Sequence, residues 1–226
     1  GDGPPPGSKF ALLPSDMEYS ELKALYINCT LKKSPTLSHT QGLIDLSRRT
    51  MESRGVQTNS FRLADFVVPP GMQSDLCLAG PIWLGENSSV MRILMERLYA
   101  MSGLLNEQGQ YSFYGKVGCT LLSGNEDGVK HAAMGNLYGL QHIGYTIAPQ
   151  ADAGWVGTIG PGLSYLDKGS GGPENDFTNR NTVFMSWNAM HLAALLKKNN
   201  FYPPVGNSRR AWDEGDKTGF IPRQSS

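Results

Sequence analysis

Strand-like runs alternate along this chain with segments whose apolar residues recur at helical spacing. The runs fall at 23–29 ("KALYINC"), 57–65 ("QTNSFRLAD"), 74–80 ("SDLCLAG"), 116–124 ("KVGCTLLSG") and 145–148 ("YTIA"). Between and after them, 40–54, 88–103, 128–141 and 178–198 read as helices. Val90, Leu94, Leu98 and Met101 lie on one helical face, with Arg92 and Glu96 spaced to pair. Ala133, Leu137 and Leu140 form a second stripe, and Val183, Trp187, Met190 and Ala194 a third. Strands buried on two sides and alternating with helices predict a doubly wound α/β domain with a five-stranded parallel sheet and helices on both faces. Ligands of such sheets bind beyond the carboxyl ends of the strands, so the loops after the strands are where chemistry is expected.

One junction resists this pattern. By its apolar pattern the second strand is expected to run to about Val68 and the third to start near Ser74, leaving roughly "PPGMQ" between them. Parallel strands need a crossover of about a dozen residues or more. Either these two strands are antiparallel or a segment of chain is absent near 71–73. The expected organisation is an N-terminal extension over 1–20, too rich in Gly and Pro for regular structure at its start, a core domain over 21–200, and a polar tail over 201–226. The tail is either a disordered end or an arm for a neighbouring subunit, with Trp212 and Phe220 as its anchors.

Twenty basic residues against twenty acidic ones leave no net field, which argues against binding nucleic acid or an anionic membrane through bulk charge. Cys29, Cys77 and Cys119 are odd in number and lack CxxC spacing, so they read as buried thiols of a reducing compartment such as the cytoplasm. No stretch resembles a signal peptide or a run of about eighteen apolar residues, so neither export nor a membrane span is expected. His39, His131, His142 and His191 are scattered without metal-ligand spacing, and no metal site is expected.

Three loops carry the functional reading. After the first strand comes "NCTLKKSPTLSHT" (28–40), where Thr30, Ser34, Ser38 and Thr40 supply hydroxyls, Lys32 and Lys33 charge, and the next helix its free N–H groups. This suits a phosphate; an ordinary Ser/Thr helix cap beside solvated lysines is the competing account. The stretch has no glycine, which excludes a P-loop. A phosphatase loop would need an arginine six residues after Cys29, where Pro35 stands, so the loop is expected to hold phosphate without cleaving it. After the third strand, "GPIWLGENSS" (80–89) sets Trp83 and Leu84 between glycines, either as a shelf for a flat ligand or as folded-in core. After the fourth, "SGNEDG" (123–128) offers the backbone and amide of Asn125 to the polar edge of a heterocycle. A phosphate site, an apolar shelf and a polar turn on adjacent strand ends describe a mononucleotide with a flat ring, and the G-x-G-x-x-G turn of a dinucleotide site is missing.

These motifs resemble the flavodoxin-like NADPH-dependent FMN reductase family, in the subgroup with "C-[ST]-L-K-x-S-P…S-x-T" (29–40), "P-x-W-x-G-x-x-S-S-V" (81–90) and "G-N-E-D-G" (124–128). The resemblance spans about residues 22–198. It implies that Thr30, Lys32, Ser38, His39 and Thr40 surround an FMN phosphate. Pro81, Ile82, Trp83, Leu84 and Gly85 would then line the isoalloxazine, with Ser123, Gly124, Asn125, Glu126, Asp127 and Gly128 on its pyrimidine side. The stretch 151–167 resembles a Gly-rich loop closing near the flavin, which adds Trp155 and Tyr165. An acidic, Trp-containing segment usual between strands two and three is missing, at the junction that is too short. The implied activity is transfer of electrons from NAD(P)H through FMN to free flavin, a quinone or a similar small acceptor. No side-chain nucleophile or acid–base pair is required, because the cofactor carries the chemistry. Such enzymes are commonly homodimers or homotetramers. A flavodoxin-type electron carrier is the alternative, disfavoured by the neutral charge, and a cofactor-free module of the same topology is a third reading.

Overall fold

The computed structural model describes residues 18–65, 75–160 and 162–220. Strands β1 (Lys23–Asn28), β2 (Gln57–Arg62), β3 (Asp75–Trp83), β5 (Val117–Gly124) and β6 (Thr146–Val156) form a parallel sheet in the order β2-β1-β3-β5-β6. A two-residue strand, β4 (Glu86–Asn87), pairs antiparallel with the end of β3. Helices α1 (His39–Glu52) and α4 (Asp176–Lys198) cover one face, burying Leu43, Ile44, Met185 and Met190 against Tyr26, Cys77 and Leu121. On the other face, α2 (Ser89–Tyr99) and α3 (Val129–His142) bury Met91, Leu94, Leu98 and Leu140 against Ile27, Leu76 and Leu78. The five-stranded doubly wound arrangement expected from the pattern is the one observed.

Three local expectations need correction. The second strand ends at Arg62, and a 3-10 turn over Leu63–Asp65 follows, so the connection to β3 begins earlier than the apolar pattern implied. Both β2 and β3 run parallel to β1, which removes the antiparallel alternative. The expected absent segment at 71–73 lies outside the described residues. The last strand is also longer than expected, because Ala151–Val156, read as part of a Gly-rich loop, continues β6 past an irregularity in its pairing with β5.

The described part of the tail, residues 201–220, packs back on its own chain. The Gln110 amide donates to the carbonyls of Tyr202 and Pro203 and to Asn207 Oδ1, Tyr114 meets Tyr202 edge-on, and a short helix α5 (Arg209–Asp213) is held by the Arg210 N–H on the Gly109 carbonyl.

Cys77 and Cys119 lie in the sheet and Cys29 just past the end of β1. Cys77 stands in register between Tyr26 and Cys119, and all three thiols are free and buried. Among the described residues no helix is long and apolar enough to cross a membrane.

Candidate functional site at the strand ends

Strands β1, β3 and β5 deliver their carboxyl ends to one edge, where a cavity of about 350 Å³ opens. Its size falls in the range of small-molecule sites. At one end it is walled by Thr30, Leu31, Lys32, Leu37, Ser38, His39 and Thr40. At the other stand Pro81, Ile82, Trp83, Ser123, Gly124 and Asn125, with Ser164 and Tyr165 closing the side.

The first end is built around Asn28. Its buried amide donates to Ser38 Oγ (3.1 Å) and Gln41 Oε1 (3.0 Å), while its Oδ1 accepts the Thr30 N–H (3.1 Å). One side chain thus ties the end of β1 to the start of α1. Ser38 is the N-cap, its hydroxyl accepting from Gln41 N, and no acidic residue occupies the first turn of α1. That leaves the positive end of the helix dipole uncompensated toward the cavity. Thr40 Oγ1 and Ser123 Oγ are 3.1 Å apart, joining the first and third loops. The helix-cap and phosphate accounts of this stretch are therefore compatible, since Ser38 caps and also lines the cavity.

The outer side of this loop is held by two residues that sequence reasoning missed. Arg62 at the end of β2 donates from Nη1 to the Thr36 carbonyl (2.6 Å), and Asp65 accepts from both the N–H and the hydroxyl of Ser34 (2.9 and 2.7 Å). The backbone bond from Ser34, then its hydroxyl, holds the Asp65 carboxyl below its ordinary range. Nothing in the spacing of Arg62 and Asp65 points to the loop about thirty residues earlier; only the parallel pairing of β1 with β2 brings them there.

His39 has a definite protonation state. Its Nδ1 accepts the Leu166 N–H at 3.0 Å, which requires that nitrogen to be unprotonated. Burial lowers its pKa, with Lys32 acting the same way and Asp167 opposing. A neutral His39 thereby fastens the segment around Leu166 to the start of α1.

The second end is a shelf carried by a hairpin. Leu84 (φ 54°) and Gly85 (φ 75°) form a two-residue turn between β3 and β4, with both backbones in the left-handed region as a type I′ turn demands. Leu84 meets that demand at the cost expected of a bulky residue, with its N–H donated to Glu126 Oε2 at 2.6 Å. Trp83 is 48% exposed and lines the cavity, so the shelf and not the core reading applies to it. Leu84 is 93% exposed at the tip. Gly128 braces the turn from below: a Cβ there would lie 2.4 Å from the Gly85 carbonyl oxygen.

Several expected residues have other roles. Leu84, Gly85, Glu126, Asp127 and Gly128 are not among those lining the cavity; they build the hairpin and its support. The Asn125 side chain reaches the cavity, but its amide already donates to the Gly162 carbonyl at 2.8 Å. Trp155 is a buried β6 residue meeting Tyr165 edge-on at 5.6 Å, so it supports the cavity wall and Tyr165 forms it. Cys29 is fully buried behind the loop, and burial pushes its thiol pKa up, which fits packing and not nucleophilic attack.

No carboxylate is among the lining residues, Lys32 and the hydroxyls of Thr30, Ser38 and Thr40 gather at one end, and an indole with Pro81 and Ile82 stands at the other. An anion and an apolar plane are accommodated together. The fold and this cleft define a flavodoxin-like α/β protein whose strand-end cavity is cationic and hydroxyl-rich at one end and apolar at the other.

Comparison with known proteins narrows that class. Over an alignment of 205 positions the chain is 32% identical to 8-demethyl-8-aminoriboflavin-5'-phosphate synthase of Streptomyces davaonensis, covering 78% of this chain and 79% of that one. The chain belongs to the family of that enzyme, which bears out the flavodoxin-like flavin-enzyme resemblance of the motifs. The crystal structure of RosB with a bound 8-demethyl-8-formylriboflavin-5'-phosphate intermediate superposes with a TM-score of 0.76 at 30% identity, covering 90% of this chain and 91% of that one. A flavodoxin from the domain Archaea shares the fold alone, with a TM-score of 0.51 and 11% identity over 76% of this chain and 99% of that one. Over an alignment of 202 positions the chain is 55% identical to part of the divalent metal cation transporter MntH of Mycobacterium bovis, covering 79% of this chain. The chain spans 30% of the length of that relative. No family model matches the chain.

Proposed function

We propose that the strand-end cleft binds riboflavin 5'-phosphate and that the protein is a flavin-dependent oxidoreductase taking electrons from NAD(P)H and passing them to free flavin, a quinone or a similar small acceptor. The observation that carries the binding half is the polarity of the cavity, with Lys32, three hydroxyls and the α1 terminus at one end and Trp83 at the other. A bound flavin supplies the redox chemistry. The chain's residues have simpler tasks. Ser38, Thr30 and Thr40 offer hydrogen bonds to phosphate oxygens, and Lys32 adds charge. Trp83, Pro81 and Ile82 present an apolar surface to the ring and keep water from it. Ser123 and Asn125 present polar groups at the ring's edge. Neutral His39 fixes the wall formed by Tyr165 through Leu166. A homodimer or homotetramer and a cytoplasmic location belong to the same proposal, the latter supported by three buried free thiols.

A second reading is favoured by one observation. The likeness to RosB extends over 90% of the chain at 30% identity, whereas likeness to the archaeal flavodoxin is limited to the fold. In this reading the bound flavin is itself the substrate, altered at the 8-position that the relatives' names specify.

One pair of measurements separates the readings. Anaerobic addition of NADPH or NADH to the flavin-loaded protein is expected to bleach the flavin absorbance, and the flavin recovered after aerobic turnover is expected to have an unchanged mass. A changed mass supports the second reading and defeats the first. If neither nucleotide bleaches the flavin and its mass is unchanged, the enzyme reading fails in favour of an electron carrier.

A further inference from the structure

The loop over 30–38 is gripped from opposite sides by different elements, and only one side lines the cavity. Asn28 and the Ser38 cap hold its two ends on the cavity side. On the far side Arg62 and Asp65, at the end of the neighbouring strand β2, hold its middle: Arg62 takes the carbonyls of Thr36 (2.6 Å) and Lys32 (3.5 Å), and Asp65 takes Ser34 through two bonds. Neither Arg62 nor Asp65 lines the cavity. We infer that Arg62 and Asp65 are the positioning pair for phosphate recognition, a clamp that fixes Thr30, Lys32 and Ser38 against the anion without touching it. The inference rests on the flavin-phosphate reading above.

Leu31, Lys32, Lys33, Ser34, Thr36 and Leu37 are all exposed, so no buried side chain holds the loop's middle. A loop without such anchors samples many backbone states, and a ligand must restrain it at an entropic cost. Arg62 removes that freedom by gathering two carbonyls on the outer face, where its charge satisfies them. Asp65 does the reverse, accepting donors from Ser34. Its negative charge lies outside the cavity, where it cannot repel a phosphate at contact distance. Substrate selection follows from the same geometry. The clamp acts on the phosphate end alone and leaves the Trp83 shelf untouched, so it should discriminate phosphorylated from unphosphorylated flavin.

The test is equilibrium titration of the full chain with FMN and with riboflavin, followed by flavin fluorescence, for wild type, Arg62→Ala, Arg62→Lys, Asp65→Ala and Asp65→Asn. Wild type is expected to prefer FMN. Arg62→Ala and Asp65→Ala should each raise the FMN dissociation constant about tenfold or more, as expected for losing charge-assisted bonds, while riboflavin changes less than about twofold. Arg62→Lys and Asp65→Asn, which each keep one bonding group, should recover part of the preference. Thermal midpoints identify any variant that is merely unfolded, and a folded conservative variant then carries the comparison. A wild-type preference for FMN that survives both alanine variants overturns the clamp and leaves the binding reading standing, as does an equal loss for both ligands. If wild type binds FMN no better than riboflavin, the phosphate reading and the clamp fall together.

Discussion

Replacing Gly128 by alanine tests how the ring end of the cleft is built. Gly128 sits at φ 119°, and a Cβ there would meet the Gly85 oxygen at 2.4 Å and the Gly85 carbonyl carbon and Cα at 2.7 Å each. These are backbone atoms of a turn already confined by the Leu84 bond to Glu126, so no flexible side chain can yield. A side chain in the left-handed region costs about 1–2 kcal/mol, and forced displacement in a packed contact adds about 1–3 kcal/mol. Gly128→Ala is thus expected to lose about 3–4 kcal/mol, which for a chain of this size lowers the thermal midpoint by about 10 °C. Displacement of the turn should also move Trp83 and weaken FMN binding in the variant that remains folded at low temperature. Gly103→Ala is the control, because a Cβ there meets nothing within 4 Å. Calorimetric unfolding and FMN titration read both effects. A Gly128→Ala midpoint within about 2 °C of wild type would refute the claim that the hairpin rests on this contact.

Acidification should loosen the His39 latch. Its folded pKa lies below the ordinary 6.5, so the unfolded or unlatched chain takes up the proton first. The stabilisation is complete above 6.5 and is lost as pH falls through the folded pKa; amide exchange at Leu166, corrected for intrinsic rates, should rise in that window and be insensitive to it in His39→Ala. Asp75 has the opposite sign for a carboxyl: burial raises its pKa above 3.8, so the fold binds the proton more tightly and stability falls as pH rises through that window. Asp75→Asn keeps an acceptor for the Val117 N–H and should be at least as stable as wild type at neutral pH, with a flatter midpoint-against-pH curve. A less stable variant would contradict this. Cys29, Cys77 and Cys119 are buried, so a thiol reagent should label none of them until the chain is unfolded; labelling of native protein would contradict the packing role.

The fold was legible because its signal is local. Two-sided strands such as "LCLAG" and helical stripes such as Val90–Leu94–Leu98 are readable within one element, and together they force parallel layers. The loops after β1, β3 and β5 were legible for a related reason, since parallel topology sends those strand ends to one edge. What was misread depended on chain geometry at a distance. Trp155 was placed in a loop because "DAGWVG" is glycine-rich, yet Gly154 stands in β6, its position crowded by the Leu122 carbonyl. Asn125 reads as a free ligand group, and what the sequence does not show is that its amide also donates to the Gly162 carbonyl, 37 residues away, which orients it at the cavity. Arg62 and Asp65 go unread because their partners become neighbours only after β1 pairs with β2, and Asn28 because it meets Ser38 and Gln41 only once α1 packs beside β1. Trp83 could not be assigned from sequence, because exposure at a strand end is decided by the left-handed turn at Leu84–Gly85.

One cleft is proposed to hold a phosphorylated flavin, its phosphate at the α1 terminus and its ring against Trp83. Titrating the full chain with FMN while following flavin fluorescence, in wild type and in Ser38→Glu, tests it most directly. The account predicts saturable binding of about one FMN per chain at micromolar concentration, abolished when a carboxylate is set at the helix terminus in place of the Ser38 hydroxyl. Absence of FMN binding by the folded wild-type chain, or undiminished binding by Ser38→Glu, would contradict it.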